Sequence, residues 1–394
     1  MQTFWKRDSA LGIAYALVAL IVSVHTVLKG TNAYGYTSYE NYVIFKNSFS
    51  HLAQGLNPYT DYPAEQWDLF KYSPAFSVAM APFSALPDLP GLALWNLLNA
   101  LSLLWVILHI PVLEPGQRRF MAWFILPELV ISLQNSQSNG LTAAVILCTW
   151  VALESKKPIR AAWWAMAGGF VKIFGVLAVL PACMYPQRSR FVPATVVWAG
   201  LLFVIPLVLV SPEQLWKVYR WWGELLLDDH STSVGLSVMG WLQTWFGWQA
   251  PKTAVLLVGL ALLTGCTWAV YRRRSAIYGG LPPGQDRIRL WAMLLLWVVV
   301  FNHKAESPTF VIALCGVALW FLSEKTPALW MKILLWTAFV LASVSPTDIF
   351  PPAVRTALVQ PYVLKAVPCI AIWLILTIQL LLPKNREQTL TTDE

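Results

Sequence analysis

Apolar runs follow one another along this chain with short basic clusters between them, and that alternation limits the fold more than any motif does. The clusters are Lys6 and Arg7, Arg118 and Arg119, Lys156 and Lys157 with Arg160, Arg188 with Arg190, Arg272, Arg273 and Arg274 continuing to Arg289, Lys325, and Lys384 with Arg386. Backbone in hydrocarbon finds no water to bond, so each run must close its own hydrogen bonds as helix. The runs have helical length, and none alternates with the period of two that an outer-membrane barrel shows. Clustered Lys and Arg hold their loops on the cytoplasmic side. Hydrophobic residues form 57% of the chain and charged ones 12%, which excludes an ordinary soluble domain. The net charge of +8 then orients spans and is not a nucleic-acid footprint.

The expectation is an all-α polytopic membrane protein, a single integral domain over residues 1–394 with both termini cytoplasmic. About thirteen apolar segments are visible, but cytoplasmic termini require an even number of crossings. The segments 74–86 and 92–112 must therefore cross an odd number of times between them. The first is short and bracketed by prolines, so it should dip into the bilayer or pack at an angle, leaving about twelve transmembrane helices. Outer-face loops are expected at 29–73, 211–251, 302–307 and 345–362, and a disordered cytoplasmic tail at 383–394. The run 10–28 lacks a small-residue cleavage pattern and reads as a span, not a removed signal. Cys148, Cys183, Cys266, Cys315 and Cys369 all lie in apolar runs, without pairing or metal spacing, and read as packing residues.

The first long polar segment, residues 35–74, carries Glu40, Asp61, Glu65 and Asp68. Within it Tyr42, Phe45, Phe49 and Leu52 share a helical face, with Glu40, Asn47, Ser50 and Gln54 off it. An amphipathic helix lying in the membrane interface is expected there, ended by Gly55 and followed by an Asn57-Pro58 turn. Two short hairpins follow, one with the polar tip 134–140 and one with Lys172 at its tip. Arms too short to cross leave those tips below the outer surface, where polar groups survive only against a wet cavity. A second outer loop holds Trp216, Tyr219, Trp221 and Trp222, then the polar run 228–233, and Asn302-His303-Lys304-Ala305-Glu306-Ser307-Pro308 breaks two later apolar runs.

No Walker loop, zinc motif, Ser/His/Asp signature or dinucleotide fingerprint appears. An ATP-driven pump and a nucleotide-sugar enzyme with a soluble domain are both disfavoured. What remains on the outer face is a few acids, membrane-embedded lysines and amides, a set that suits an activated substrate delivered through the membrane, such as a polyprenyl-phosphate sugar. Glu40 is the leading general base for an acceptor hydroxyl, although Thr37-Ser38-Tyr39-Glu40 also reads as a capping box. Asp61 is the second candidate, and Asp68 is expected to pair with Lys71 on a helix face. Lys172 would bind phosphate, snorkel, or sit in an ion pair. His303 and Lys304 are candidates for the same phosphate, with Glu306 an alternative partner for Lys304. Gln134, Asn135, Gln137 and Asn139 would bind sugar hydroxyls or form a plain polar turn, and His25, His51 and His109 receive no function.

Taken together these elements resemble glycosyltransferase family 87, membrane enzymes of the GT-C class. The likeness rests on Glu40 or Asn41, then Gly55-Leu56-Asn57-Pro58-Tyr59, Tyr72-Ser73-Pro74, the tip 134–139, the stretch 172–181 and the break 302–308. The family acid is usually an aspartate and by spacing falls on Asn41, one residue from Glu40. The resemblance implies a GT-C-like bundle and a hexosyltransferase, often a mannosyltransferase, of the cytoplasmic membrane. It would take a polyprenyl-phosphate sugar and transfer it with inversion to a glycan or glycolipid acceptor. Glu40 or Asp61 would be catalytic. Lys172, His303 and Lys304 would hold the donor phosphate, and Asn41, Asn57, Tyr59, Gln134, Asn135 and Asn139 would contact sugar or acceptor. Membrane lipids are implied as surroundings and nucleic acid is not a partner. No cofactor or metal ligand is assigned, and a divalent ion is left open. The rivals are a secondary transporter or lipid-linked glycan flippase, and a non-catalytic envelope-assembly protein.

Overall fold

A computed structural model describes residues 8–227, 234–274 and 280–382. Lys6, Arg7, the polar run 228–233 and the tail 383–394 lie outside the described residues. Among those described, regular structure is helical apart from a single bridge between Thr31 and Thr37.

Local sequence sets where helices begin. α1 (Asp8–Leu28) places an acid in its first turn and His25 in its last, both favourable to the helix dipole. α2 (Glu40–Ala53) forms where the spacing predicts a helix, with Tyr42, Phe45 and Leu52 buried. Glu40, Ser48 and His51 are buried as well, so its inward side is not purely apolar. The stretch 74–86 is broken into α3 (Pro74–Ala79) and α4 (Ala81–Ser84), which pack against α2. Ser73 caps α3 through its hydroxyl, with Pro74 at the first position. α5 (Asp88–Leu108) packs against α1, and α6 (Pro115–Gln134) and α7 (Asn139–Glu154) form the first hairpin. α8 (Pro158–Val171) folds back on the 3-10 turn Ile173–Ala178, which continues as α9 (Val179–Ala182).

α10 (Arg188–Val204) runs beside α8, α11 (Pro212–Leu227) covers the first loop, and α12 (Val238–Phe246) leads to α13 (Lys252–Arg272). α14 (Gly284–Val300) and α15 (Phe310–Leu322) lie at the centre. Every residue from Leu290 to Val300 and from Phe310 to Trp320 is buried. α16 (Leu329–Phe339), α17 (Pro352–Val354) and α18 (Val367–Leu381) close the chain. The outer helices turn apolar side chains outward: Ile13, Leu17 and Ile21 on α1, Val196, Val197 and Leu201 on α10, Leu257 and Val258 on α13. In water such faces would be a liability; against lipid tails they carry no penalty.

Four helical runs are long and apolar enough to cross a bilayer: Asp8–Leu28, Asp88–Leu108, Arg188–Val208 and Lys252–Arg272. Five further apolar runs are shorter, at 10–17 residues. Helix length among the described residues therefore does not supply about twelve full spans. One of the shorter runs, Leu329–Val344, stays helical throughout but changes from α to π winding at Val340. Four of the five cysteines are buried, while Cys183 is exposed and so is not a core-packing residue.

Candidate active site

Lys172 stands at the point where α8 reverses. It is extended (φ −136°, ψ 124°) between α8 and the 3-10 turn. The reversal depends on Gly175, where an added Cβ would lie 2.4 Å from both the carbonyl carbon and oxygen of Gly168. Only two glycines let the arms approach that closely. At the tip, the Lys172 ammonium donates to Asn139 Oδ1 at 2.5 Å and sits 5.9 Å from the centre of the Tyr72 ring. Glu306 acts on it electrostatically, but no carboxylate among the described residues pairs with it directly.

Three other segments meet there. Asn139, fully buried at the start of α7, donates its amide to the Pro308 carbonyl at 3.0 Å. Tyr72 shares a hydrogen bond with Ser138 at 2.9 Å, and Ser73 donates to the Phe170 carbonyl at 2.5 Å. The first loop, the tip between α6 and α7, the Lys172 reversal and the 302–308 break thus converge. Ser136 in that tip has φ +52°, a strained conformation for a residue with a side chain, and its carbonyl accepts from the Trp95 indole at 3.0 Å.

Asn41 reaches the same tip, donating to the Asn135 carbonyl at 3.0 Å. Asn135 also donates its amide to Ile131, and Gln134 is exposed beside it. Both ends of the Asn139 amide bond within the protein, and the residue is fully buried, so it positions Lys172 and ties it to the 302–308 break instead of facing a sugar. Glu40 is 7% exposed. Its carboxylate accepts from the Trp67 backbone N–H at 3.0 Å and from the Thr37 hydroxyl at 3.3 Å. Burial raises its pKa from the ordinary value, against the opposing effect of those two donors. The helix start differs from the expected capping box: Tyr39 is the N-cap and Glu40 the first helical residue.

Asn57 closes its own turn, accepting from Tyr59 N at 3.0 Å. The turn needs Gly55, which has φ +75° and lies against the Gln214 side chain of α11. Tyr59 is buried and donates to the Tyr72 carbonyl at 3.0 Å. Asp61 is exposed and lines a cavity of about 270 Å³ with Asn57, Tyr59, Trp221 and Glu224. His51, buried at 4%, lies 3.0 Å from Glu65 and stacks on Tyr62, a tie within the loop. Asp68 and Lys71 do pair, at 2.7 Å, though in irregular chain and not on a helix.

In the 302–308 break, Asn302 Oδ1 accepts from Lys304 N at 3.0 Å. His303 is half-buried and Lys304 exposed. The Leu236 N–H donates to Ala305 at 2.9 Å, bringing the end of the second outer loop onto the break. Sequence reasoning missed what holds the break from inside. Lys365 donates to Ser307 Oγ at 2.8 Å and to Glu128 Oε1 at 2.9 Å, with side chains 4% and 0% exposed for Lys365 and Glu128. A charge within the apolar run around Glu128 was the available signal. Among the described residues no group of three or more His, Cys, Asp or Glu is arranged to hold a metal ion.

Residues 70–302 match the model of glycosyltransferase family 87, more than half of the 394 residues. The chain belongs to glycosyltransferase family 87. The matched region holds Tyr72, the tip between α6 and α7, and Lys172, while Glu40, Asp61 and His303 lie outside it. No curated protein matches the sequence. Among solved structures, ArnT from Cupriavidus metallidurans in the apo state is similar, with 15% identity and a TM-score of 0.45 over 95% of this chain and 76% of that one. The same enzyme bound to undecaprenyl phosphate gives 14% identity and a TM-score of 0.40 over 94% and 76%. Membership of this family, with the apolar helices, makes the chain a multi-pass membrane glycosyltransferase.

Proposed function

We propose that the chain transfers a hexose, mannose foremost, from a polyprenyl-phosphate donor to a glycan or glycolipid acceptor on the outer face of the cytoplasmic membrane. Both termini lie on the cytoplasmic side in this reading. The observation that carries it is the Lys172 ammonium, inside an apolar bundle, with a neutral amide and an aromatic ring as its close partners. A cation so placed has charge to offer an anion, and the phosphate of a lipid-linked donor enters from the membrane.

The reaction is a single displacement. An acceptor oxygen attacks the anomeric carbon, the bond to the phosphate oxygen breaks on the opposite side, and its electron pair leaves with the phosphate. Lys172, with His303 or Lys304, stabilises the charge gathered there. Glu40 takes the proton of the attacking hydroxyl. Its two bonds from Trp67 and Thr37 leave carboxylate lone pairs unused, and its raised pKa makes it a stronger base than an exposed glutamate. Asn41, at the position where the family acid falls, cannot accept that proton. Asp61 is the base if Glu40 serves only the loop.

Purified protein is incubated with radiolabelled polyprenyl-phosphate mannose and an envelope acceptor extract, beside Glu40→Gln. Transfer by wild type alone supports both the class and the base. Transfer by both moves the base to Asp61. No transfer from mannose, glucose, galactose or arabinose donors overturns the donor class.

A further inference from the structure

The cavity under α11 is separate from the Lys172 cluster in its chemistry. Lys172 offers positive charge. The cavity offers two carboxylates, Asp61 and Glu224, an indole face from Trp221, the Asn57 turn, and the buried ring of Tyr59 at its wall. Its volume of about 270 Å³ is below the range typical of drug-sized ligands and suits one sugar ring with its water.

Its two carboxylates are not firmly held elsewhere. Asp61 makes no ion pair or hydrogen bond with a described residue. Glu224 meets Arg220 only at 3.7 Å, with both side chains about two-thirds exposed, at 68% and 64%, and such pairs hold weakly. Trp221 is half-buried. The wall itself is firm. Trp222 donates its indole N–H to the Lys71 carbonyl at 3.4 Å, and Tyr219 stacks on Phe203 at 4.0 Å and donates to its carbonyl.

We infer that this cavity binds a neutral sugar residue of the acceptor glycan, with Trp221 as stacking platform and Asp61 and Glu224 accepting from its hydroxyls. The inference rests on the glycosyltransferase reading above and names the acceptor's place within it. Paired carboxylates reject a phosphate, so the donor headgroup cannot occupy the cavity. A sugar ring presents an apolar C–H face to an indole and a rim of hydroxyl donors to carboxylates. Tyr72 links the cavity to the reaction centre: its carbonyl accepts from Tyr59, and its ring faces Lys172. With Glu40 as the base, the cavity holds a sugar set back from the attacking one, and it fixes which hydroxyl reaches the donor.

The test is saturation-transfer NMR of the full-length protein in detergent with neutral disaccharides of mannose, glucose and galactose. Wild type and Lys172→Met should bind one of them. Trp221→Ala should weaken binding about tenfold, Glu224→Gln should weaken it less, and Trp221→Phe should retain it, which shows that the altered helix still folds. In transfer assays Trp221→Ala should raise the acceptor KM about tenfold and leave the donor KM unchanged. Absence of binding to every disaccharide overturns the inference, as does loss of binding in Lys172→Met or an equal rise in donor KM for Trp221→Ala. Binding by a protein that transfers nothing leaves the cavity standing and overturns the donor and acceptor assigned under the proposed function.

Discussion

Replacing Lys365 by methionine keeps the length of the side chain and removes its charge. It strands the Glu128 carboxylate, whose side chain is wholly buried, without its 2.9 Å partner. Breaking a buried pair from one side costs about 3–5 kcal/mol, because a charge is left uncompensated. The hydrogen bond to Ser307 at 2.8 Å goes with it, adding about 1 kcal/mol. Lys365→Met should therefore shift the unfolding equilibrium by about three to four powers of ten, at about 1.4 kcal/mol for each. Glu128→Leu strands the lysine instead, but the lysine keeps Ser307 and the Phe310 ring at 5.1 Å, so its cost should sit at the lower end. The double variant has no stranded charge and should cost far less than the sum of the two single variants, the mark of a coupled pair. Reversible denaturant unfolding in mixed micelles reads all four proteins. Additive single effects, or a Lys365→Met cost under about 1 kcal/mol, would refute the assignment of a buried, interdependent pair.

The same variants separate stability from positioning. Ser307 lies in the break that carries His303, Lys304 and Glu306. The double variant regains stability but not the bond to Ser307, so transfer should stay depressed about tenfold. Ser307→Ala alone should show that depression with a stability loss near 1 kcal/mol.

Three more outcomes are expected. Lys172→Met should lower kcat/KM by about 10²–10³-fold in the transfer assay, with Lys172→Arg intermediate because a planar fork does not replace a point charge; unchanged donor affinity would refute the phosphate role. Burial raises the Glu40 pKa from its ordinary value, so transfer should rise with pH through that raised value, and Glu40→Gln should lose both the limb and about 10²–10⁴-fold in rate. The stability sign is opposite: the folded state holds the Glu40 proton more tightly, so its contribution is full below the ordinary glutamate pKa and declines as pH rises through the raised one, which unfolding of Glu40→Gln, lacking that decline, would check. Gly175→Ala puts a methyl 2.4 Å from the Gly168 backbone, and it should cost about 1–3 kcal/mol and reduce transfer about a hundredfold by displacing Lys172, as melting and rate measurements would read.

What the chain displays locally was legible. The apolar spacing of Tyr42, Phe45 and Leu52 marks α2, and the isolation of Lys172 between Gly168-Gly169 and an apolar run marks the reversal. Each depends on neighbours within one or two turns. The Glu128–Lys365 pair joins residues 237 apart, and no period or motif brings such a pair together on paper. Helix length was less legible. Hydropathy reports that a run is apolar, but not how long its helix is or that its winding changes partway, as at Val340–Val344.

The amides show a sharper limit. Asn135, Asn139 and Asn41 look alike in sequence, and each suits a sugar hydroxyl. In the fold Asn139 is consumed twice, by Lys172 and by Pro308. Asn41 is consumed at its amide nitrogen by the Asn135 carbonyl. Composition counts donors and acceptors, whereas ligand binding needs those left over after the loops have tied themselves together. By that measure the groups with valence to offer, besides the Glu40 carboxylate, are the Lys172 ammonium on one side of the Tyr72 segment and Asp61 with Glu224 on the other. Their charges are opposite, so an anionic donor and a neutral acceptor are each repelled from, or left unheld by, the other's place. A transferase needs its two substrates to bind in one order of space. Here charge alone would impose it, and reversing the sign of either locus, by Lys172→Glu or Asp61→Lys, should abolish transfer without exchanging the substrates.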